Sequence, residues 1–321
     1  MPKSDVTRTI HMEKKNSIFA NPAAVVLLAI LCNMLWGSAI PFINLGYKLF
    51  AIPAGAAATQ IFFAGCRFFL AGFLTILFTS IPQKKLVRPK KQNLHMVACL
   101  AMLQTVTQYL FFYIGVANTP SVKGAIIQGL NAFVAILVAC YLFRSERMNR
   151  LKWIGGILGV AGVVLVNLDG SSLGGAMTMK GEGFLLISMV AGACSSGAIK
   201  YFSQKEDPVA LSGWQFMLGG AIMAASGFLM GGRLNPAGIG APLVLLYLAS
   251  LSAVAYTLWS VLLKHNPVSR IAVYMFLQPV FGVMLSLILY PETQTPLLRY
   301  GAALVLVCLS IVVVGKGQHK D

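Results

Sequence analysis

Ten stretches of this sequence are apolar for long enough to cross a bilayer, which leaves the backbone few options. They run approximately over 23–47, 55–80, 95–116, 121–143, 151–167, 181–200, 209–231, 242–263, 268–290 and 296–315. About 30 Å of hydrocarbon takes roughly 20 helical residues, and inside it no water can bond a bare N–H or C=O. Each run is therefore predicted to be a transmembrane helix. With 57% hydrophobic and 11% charged residues among 321, the chain has more apolar surface than a soluble core could bury. The expected class is an all-α polytopic membrane protein with ten transmembrane helices.

One part of the pattern occurs twice. Pro120 to Asn167 reads as an apolar helix, a short polar break with Glu146, and a second apolar helix; the stretch from Pro267 repeats that plan. Glu146 matches Glu292 and Gly155 matches Gly301 at an offset of 146. A repeat of half the chain holds five spans, an odd number, so the second copy enters the membrane from the opposite side. The organisation predicted is two five-helix inverted repeats. Its parts are a cytoplasmic tail (1–22), repeat one (23–167), an extracytoplasmic linker (168–180), repeat two (181–315) and a cytoplasmic tail (316–321).

The net charge of +16 would point a soluble domain toward nucleic acid, but its placement decides otherwise. With a cytoplasmic N-terminus, 19 of the 25 basic residues fall inside, five fall outside, and Arg67 lies within a span. The positive-inside rule then puts both termini in the cytoplasm of a plasma-membrane protein. The lipid bilayer is the expected partner, and nucleic acid is not. The run after the polar N-terminus is longer than a signal-peptide core and carries Asn33 and Trp36, so it reads as a retained helix.

Chemistry is narrowed by what the spans lack. All nine acidic residues lie in tails, loops or helix ends, and the four histidines sit in tails or at helix edges. Neither paired carboxylates nor a Ser/His dyad nor a metal cluster is laid out in mid-membrane, so no enzyme, cofactor or metal is expected. The six cysteines fall within spans without a CxxC pair, which argues against disulfides and zinc. Proton coupling usually runs through a buried carboxylate or His. Only Glu182 and His95 lie near enough, so exchange or facilitated movement is preferred.

Polar residues in apolar helices turn away from lipid and toward the bundle interior. Span one carries Asn33, Trp36 and Asn44 on one face, with Pro41 expected to kink or break it. Arg67 lies near the midplane, at a cost of at least about 2.5–3.5 kcal/mol. Either it faces a wet cavity and attracts an anion, or it bonds carbonyls and amides and locks the bundle. Gln104 and Gln108 mark span three beside Tyr109; Gln128 and Asn131 mark span four; Ser252, Tyr256 and Trp259 mark span eight; Gln278 precedes Pro279 in span nine. The amides serve either as interhelical glue or as substrate contacts. The small-residue surface of Gly155 and Gly159 permits close helix contact, within the subunit or in a homodimer with a second copy.

The Trp-Gly of span one, CRFFLAG in span two, FRSERMNRLKWIGGILGVAGVVLVN and LQPVFGVMLSLILYPE, in this order and repeated, resemble the EamA-type carriers of the drug/metabolite transporter superfamily. The resemblance covers nearly the whole chain. It implies a basket of ten helices around a central cavity, alternating access, and small organic metabolites, often exported amino acids, as substrate. Arg67 matches that family's span-two arginine. The mid-helix proline is present as Pro279, 13 residues before Glu292, but its first-half counterpart is Phe133. The expected function is secondary transport of a small metabolite; the rivals are a non-transporting scaffold or sensor and, with one intramembrane charge to support it, an ion channel.

Overall fold

A computed structural model of the chain describes residues 18–53, 55–119, 127–167, 178–289 and 297–318. Among these residues the architecture is helical throughout, without strands. Helix α1 spans Pro22–Leu49 and α2 Ala57–Gln83. The third rod joins α3 (Leu94–Leu100), a π-helical stretch Ala101–Thr107 and α4 (Gln108–Ala117). The fourth holds α5 (Asn131–Leu137) and a π-helical end Val138–Leu142; α6 covers Arg150–Asn167. Then come α7 (Phe184–Phe202), α8 (Pro208–Leu229) and α9 (Gly240–His265). The ninth rod joins α10 (Val268–Ala272), a 3-10 turn Val273–Phe276 and α11 (Leu277–Leu289), and α12 covers Leu297–Gln318. Six helical stretches are long and apolar enough to cross a membrane, and shorter apolar helices cover Ile127–Leu142, Val268–Gly282 and Leu304–Gly317. Most of the expected linker and the turn with Glu292 lie outside the described residues.

Local chemistry starts the helices where it should. Asn21 Oδ1 accepts from Ala23 N at 3.0 Å with Pro22 in the first turn, and Asp207 Oδ1 accepts from Val209 N at 3.0 Å ahead of Pro208. These are side-chain caps followed by proline, whose missing N–H costs nothing at that position.

Packing then pairs helices distant in sequence. Helix α2 lies along α8, α6 lies along α12, α1 packs on α9 and α11, and α7 packs on α4 and α5. The α2–α8 contact is backbone on backbone. A Cβ on Gly65 would lie 2.2 Å from Ala224 N, and one on Gly220 would lie 2.2 Å from Phe69 N. Gly65 and Gly72 on α2, and Gly213, Gly220 and Gly227 on α8, recur every seven residues. That spacing keeps a glycine seam facing one neighbour in a close, shallow crossing.

Two expectations change here. Helix α1 runs through Pro41 without a break. The carbonyl that Pro41 leaves bare, Gly37 O, faces Gly282 across the close α1–α11 contact. The interruption lies in the ninth rod instead. Pro279 cannot donate to Met275 O, and the chain tightens into a 3-10 turn just before it. The Gly155/Gly159 surface is covered within the chain: Gly155 packs on Ser310 and Val314 of α12, and Gly159 on the Phe276 ring. Of the two uses expected for that face, the contact within the subunit is the one present.

One end of the bundle is knotted by polar ties. Lys200 Nζ donates to Asn266 O at 2.7 Å, and Asn149 Nδ2 to Gly317 O at 2.7 Å. Glu146 accepts from Ser269 N at 3.0 Å and from the Ser269 hydroxyl, and it pairs with Lys152 Nζ at 3.3 Å. Lys152 is fully buried. Glu206 accepts from Asn93 Nδ2 at 2.8 Å, Lys90 N at 2.9 Å and Asp207 N at 3.1 Å. Burial pushes the Glu206 carboxyl up, but these bonds and the charge of Lys90 outweigh it and hold the carboxyl below the usual carboxylate range. A depressed folded-state value means stability that is complete above the ordinary Glu range and is lost as pH falls through the lowered value. Melting curves in detergent from pH 7 to pH 3 should show Glu206→Gln losing less stability on acidification than wild type; identical acid limbs would refute the assignment.

Candidate functional site

The interior between α1 and α9 is aromatic because α9 presents Tyr256 and Trp259 one turn apart on its buried face and α1 presents Trp36 to them. The Trp36 ring lies 5.0 Å from Tyr256 and 4.9 Å from Trp259. Tyr256 meets Phe216 of α8 at 4.9 Å, Phe216 stacks on Phe68 of α2 at 5.4 Å, and Phe68 meets Tyr109 of α4 at 4.3 Å. The hydroxyls of Tyr109 and Tyr256 are hydrogen-bonded, which closes the ring of contacts. Five helices thus converge on one aromatic core. Each ring pair is worth about 0.5–1.5 kcal/mol beyond area burial, so the core is stiff as well as apolar.

Arg67 sits beside it, 2% exposed. Its Nε donates to Ser252 Oγ at 3.1 Å and Leu248 O at 3.3 Å, its Nη2 donates to Ser252 Oγ at 2.9 Å, and its Cζ lies 5.2 Å from the Phe68 ring centre. These bonds orient the guanidinium and tie α2 to α9. Its acceptors are a hydroxyl and a carbonyl; among the described residues no carboxylate pairs with it.

The other sequence-predicted residues divide into two sets. Gln104 is glue: Gln215 Nε2 donates to its Oε1 at 3.0 Å, and Thr105 Oγ1 donates to Gln215 Oε1 at 2.7 Å. The π-helical stretch sets Gln104 and Thr105 side by side toward α8, where one Gln can serve both. Gln108 lies against Gly192, where a Cβ would come within 3.0 Å of its amide. Gln278 is half-buried, and its carbonyl stands 2.9 Å from where a Gly37 Cβ would be. By contrast, Asn33 Oδ1, Trp36 Nε1, Gln128 Nε2 and Asn131 Oδ1 are buried polar atoms without a hydrogen-bond partner. Asn44 is exposed.

Trp36, Tyr256, Trp259 and, through Ser252, Arg67 form one site. Gln128 and Asn131 stand on the fourth rod, which contributes no ring to this core. Sequence reading missed Phe68, Phe216, Tyr47 and Tyr113, because an aromatic residue in an apolar run carries no periodic polar signal. The glycine spacing of seven was a signal for the α2–α8 seam. Tyr47 and Tyr113 hydroxyls are also buried. A buried unsatisfied polar atom costs about 1–3 kcal/mol, which packing elsewhere in the bundle must offset.

Comparison with known proteins agrees with this architecture. The EamA-like transporter family pattern matches residues 23–168 and again 179–314. An uncharacterized transporter of Synechocystis is 26% identical over 85% of this chain and 87% of its own. A Salmonella typhimurium protein named "Probable amino-acid metabolite efflux pump" is 26% identical over 90% and 94%, and a WAT1-related chloroplastic protein of Arabidopsis thaliana is 24% identical over 87% and 69%. A crystal structure 16% identical superposes with a TM-score of 0.74, over 90% of this chain and 97% of that one, which speaks for a shared fold. With both halves matched by one family pattern, and with apolar helices gathered around a polar and aromatic interior, the chain is a multi-pass membrane protein of the EamA-like transporter family, within the drug/metabolite transporter superfamily.

Proposed function

We propose that the protein is a secondary transporter moving a small organic metabolite by alternating access, with ten spans in two inverted five-helix halves, in the export direction and with both termini cytoplasmic. The observation that carries this reading is the buried aromatic core with unpartnered polar atoms, built by α1, α2 and α4 from one half and α8 and α9 from the other. The packing supports the inversion. Exchanging spans one to five with six to ten turns α1 on α9 into α7 on the third rod, and α1 on α11 into α7 on α5. The α2–α8 and α6–α12 pairs map onto themselves. The ties through Glu146, Glu206 and Lys200 lie at the end that the basic residues assign to the cytoplasm, so they must open for the inward-facing state. The amino-acid metabolite named for the Salmonella relative supports a cargo of that size and polarity.

In proteoliposomes, the purified protein should give saturable uptake and counterflow of at least one member of a panel of amino acids and organic acids. Folded protein that gives no saturable flux with the panel, and no melting shift with any member, would overturn transport and support the scaffold instead.

A further inference from the structure

We infer that the loop between α2 and α3, residues 84–93, is a binding site for the phosphodiester headgroup of an anionic bilayer lipid. The site needs the chain to lie in a membrane and does not depend on its cargo. Five cations, Lys84, Lys85, Arg88, Lys90 and Lys91, fall within eight residues, and no acidic residue lies among them. All five are exposed, and none makes an ion pair among the described residues. Like charges so close repel, and such a run left to itself spreads into solvent.

This loop is instead pinned at each step. Lys84 makes a left-handed turn at φ 49°, and the N–H groups of Lys84 and Lys85 close the end of α2 on Ile81 O at 3.1 Å and Ser80 O at 3.3 Å. Val87 N donates to Ser80 Oγ at 3.0 Å, and Val87 O accepts from Trp214 Nε1 of α8 at 3.0 Å. Pro89 is buried, and Glu206 receives Lys90 N at 2.9 Å and Asn93 Nδ2 at 2.8 Å. None of these anchors uses a basic side chain, so the cations are held together with their own bonding capacity unspent. Groups fixed before a ligand arrives lose less entropy on binding it. Of the nearby acids, Glu206 is buried beneath its donors and shares its charge with Lys90, and Asp207 caps α8. Lys84, Lys85, Arg88 and Lys91 keep theirs.

Apolar side chains select a lipid over a soluble anion. Helix α2 is long and apolar enough to cross a membrane, and its last turns expose Phe78 (66%) and Ile81 (61%) directly before the cations. Leu86 stands exposed between Lys85 and Arg88, and Leu94 is exposed just after the loop. Leucine among lysines at the end of a spanning helix sits where acyl chains meet headgroups. A free phosphate would use the charges and leave the apolar groups in water, whereas a lipid covers both. Arg88 suits two oxygens of one phosphodiester, and the lysines act as point charges around it. Because Trp214 and Glu206 tie the loop to α8 and its start, a bound lipid also braces that end of the α2–α8 pair.

The test titrates the purified full chain in neutral detergent with dihexanoyl phosphatidylglycerol and with dihexanoyl phosphatidylcholine. Glycerol 3-phosphate and inorganic phosphate serve as soluble anions, and melting temperature and native mass spectrometry report binding. Phosphatidylglycerol is expected to bind about tenfold or more tightly than phosphatidylcholine, and to lose most of that margin between about 0.05 and about 0.5 M salt. Lys84→Gln/Lys85→Gln/Arg88→Gln removes side-chain charges that pair with nothing among the described residues, so the lipid-free melting temperature should stay at the wild-type value while the margin falls by about tenfold. Arg144→Gln/Arg147→Gln/Arg150→Gln lowers the net charge equally on another exposed basic loop and should keep the margin. The site is overturned if the two lipids bind alike, if the first variant binds as wild type does, if both variants lose the margin equally, or if a soluble phosphate matches the lipid. Should the first variant melt early without lipid, the comparison of the two lipids on the wild-type chain decides.

Discussion

Glu146→Ala is expected to destabilise the protein by about 3–5 kcal/mol, because it leaves a buried lysine without its counter-charge. Lys152 Nζ has Glu146 Oε2 at 3.3 Å and Arg147 O at 2.6 Å, with side-chain exposures of 1% for the lysine and 8% for the glutamate. The same carboxylate receives the N–H and hydroxyl of Ser269 at the start of α10, so three groups lose their acceptor at once. The double variant Glu146→Leu/Lys152→Met should recover a large part of the loss, since a buried pair replaced by apolar side chains is often neutral. A double-mutant cycle on melting in detergent measures this. If the double variant is as unstable as the sum of the two single ones, the pair is not coupled.

Gly220→Val should abolish most of the folded protein. The Cβ alone would lie 2.2 Å from Phe69 N and 2.8 Å from Phe68 C. Both obstacles are helix backbone, which cannot rotate aside as a side-chain tip can. Helices α2 and α8 would have to part by more than an ångström along a seam that also holds Gly65, Gly72, Gly213 and Gly227. Parting them shears the Phe68–Phe216 stack and shifts Arg67 away from Ser252. Dispersion and close packing drive helix association in lipid, where the hydrophobic effect between helices is absent, so no other term takes over. Gly315→Ala is the control: a Cβ there meets nothing within 4 Å. Monodisperse protein recovered by size exclusion should fall steeply for the first variant and stay at the wild-type level for the second. Equal recovery would show that the seam yields.

The helical rods were legible from the sequence nearly to their ends. The run read as 209–231 is α8, Pro208–Leu229, and the run read as 242–263 is α9, Gly240–His265. The reason is physical: in hydrocarbon a segment must satisfy its backbone bonds internally, so length and polarity suffice to define it. The same reasoning put Trp36, Arg67, Tyr256 and Trp259 inside, where they are. It put Lys152 among the loop charges, because a lysine two and five residues from Arg150 and Arg147 gives no sign that Glu146 will fold over it. Pro41 was read as a kink or break on local grounds, and the helix continues through it, packed at that turn against Gly282, some 240 residues further along the chain.

What followed from the residues alone was therefore the class of element and which faces turn inward, both consequences of the solvent acting on one helix at a time. The partners had to come from packing. Ser252 for Arg67, Gln215 for Gln104, Ser269 for Glu146 and the glycine seam for Phe68 and Phe216 lie more than 100 residues away in the chain. No helical period reports such a separation.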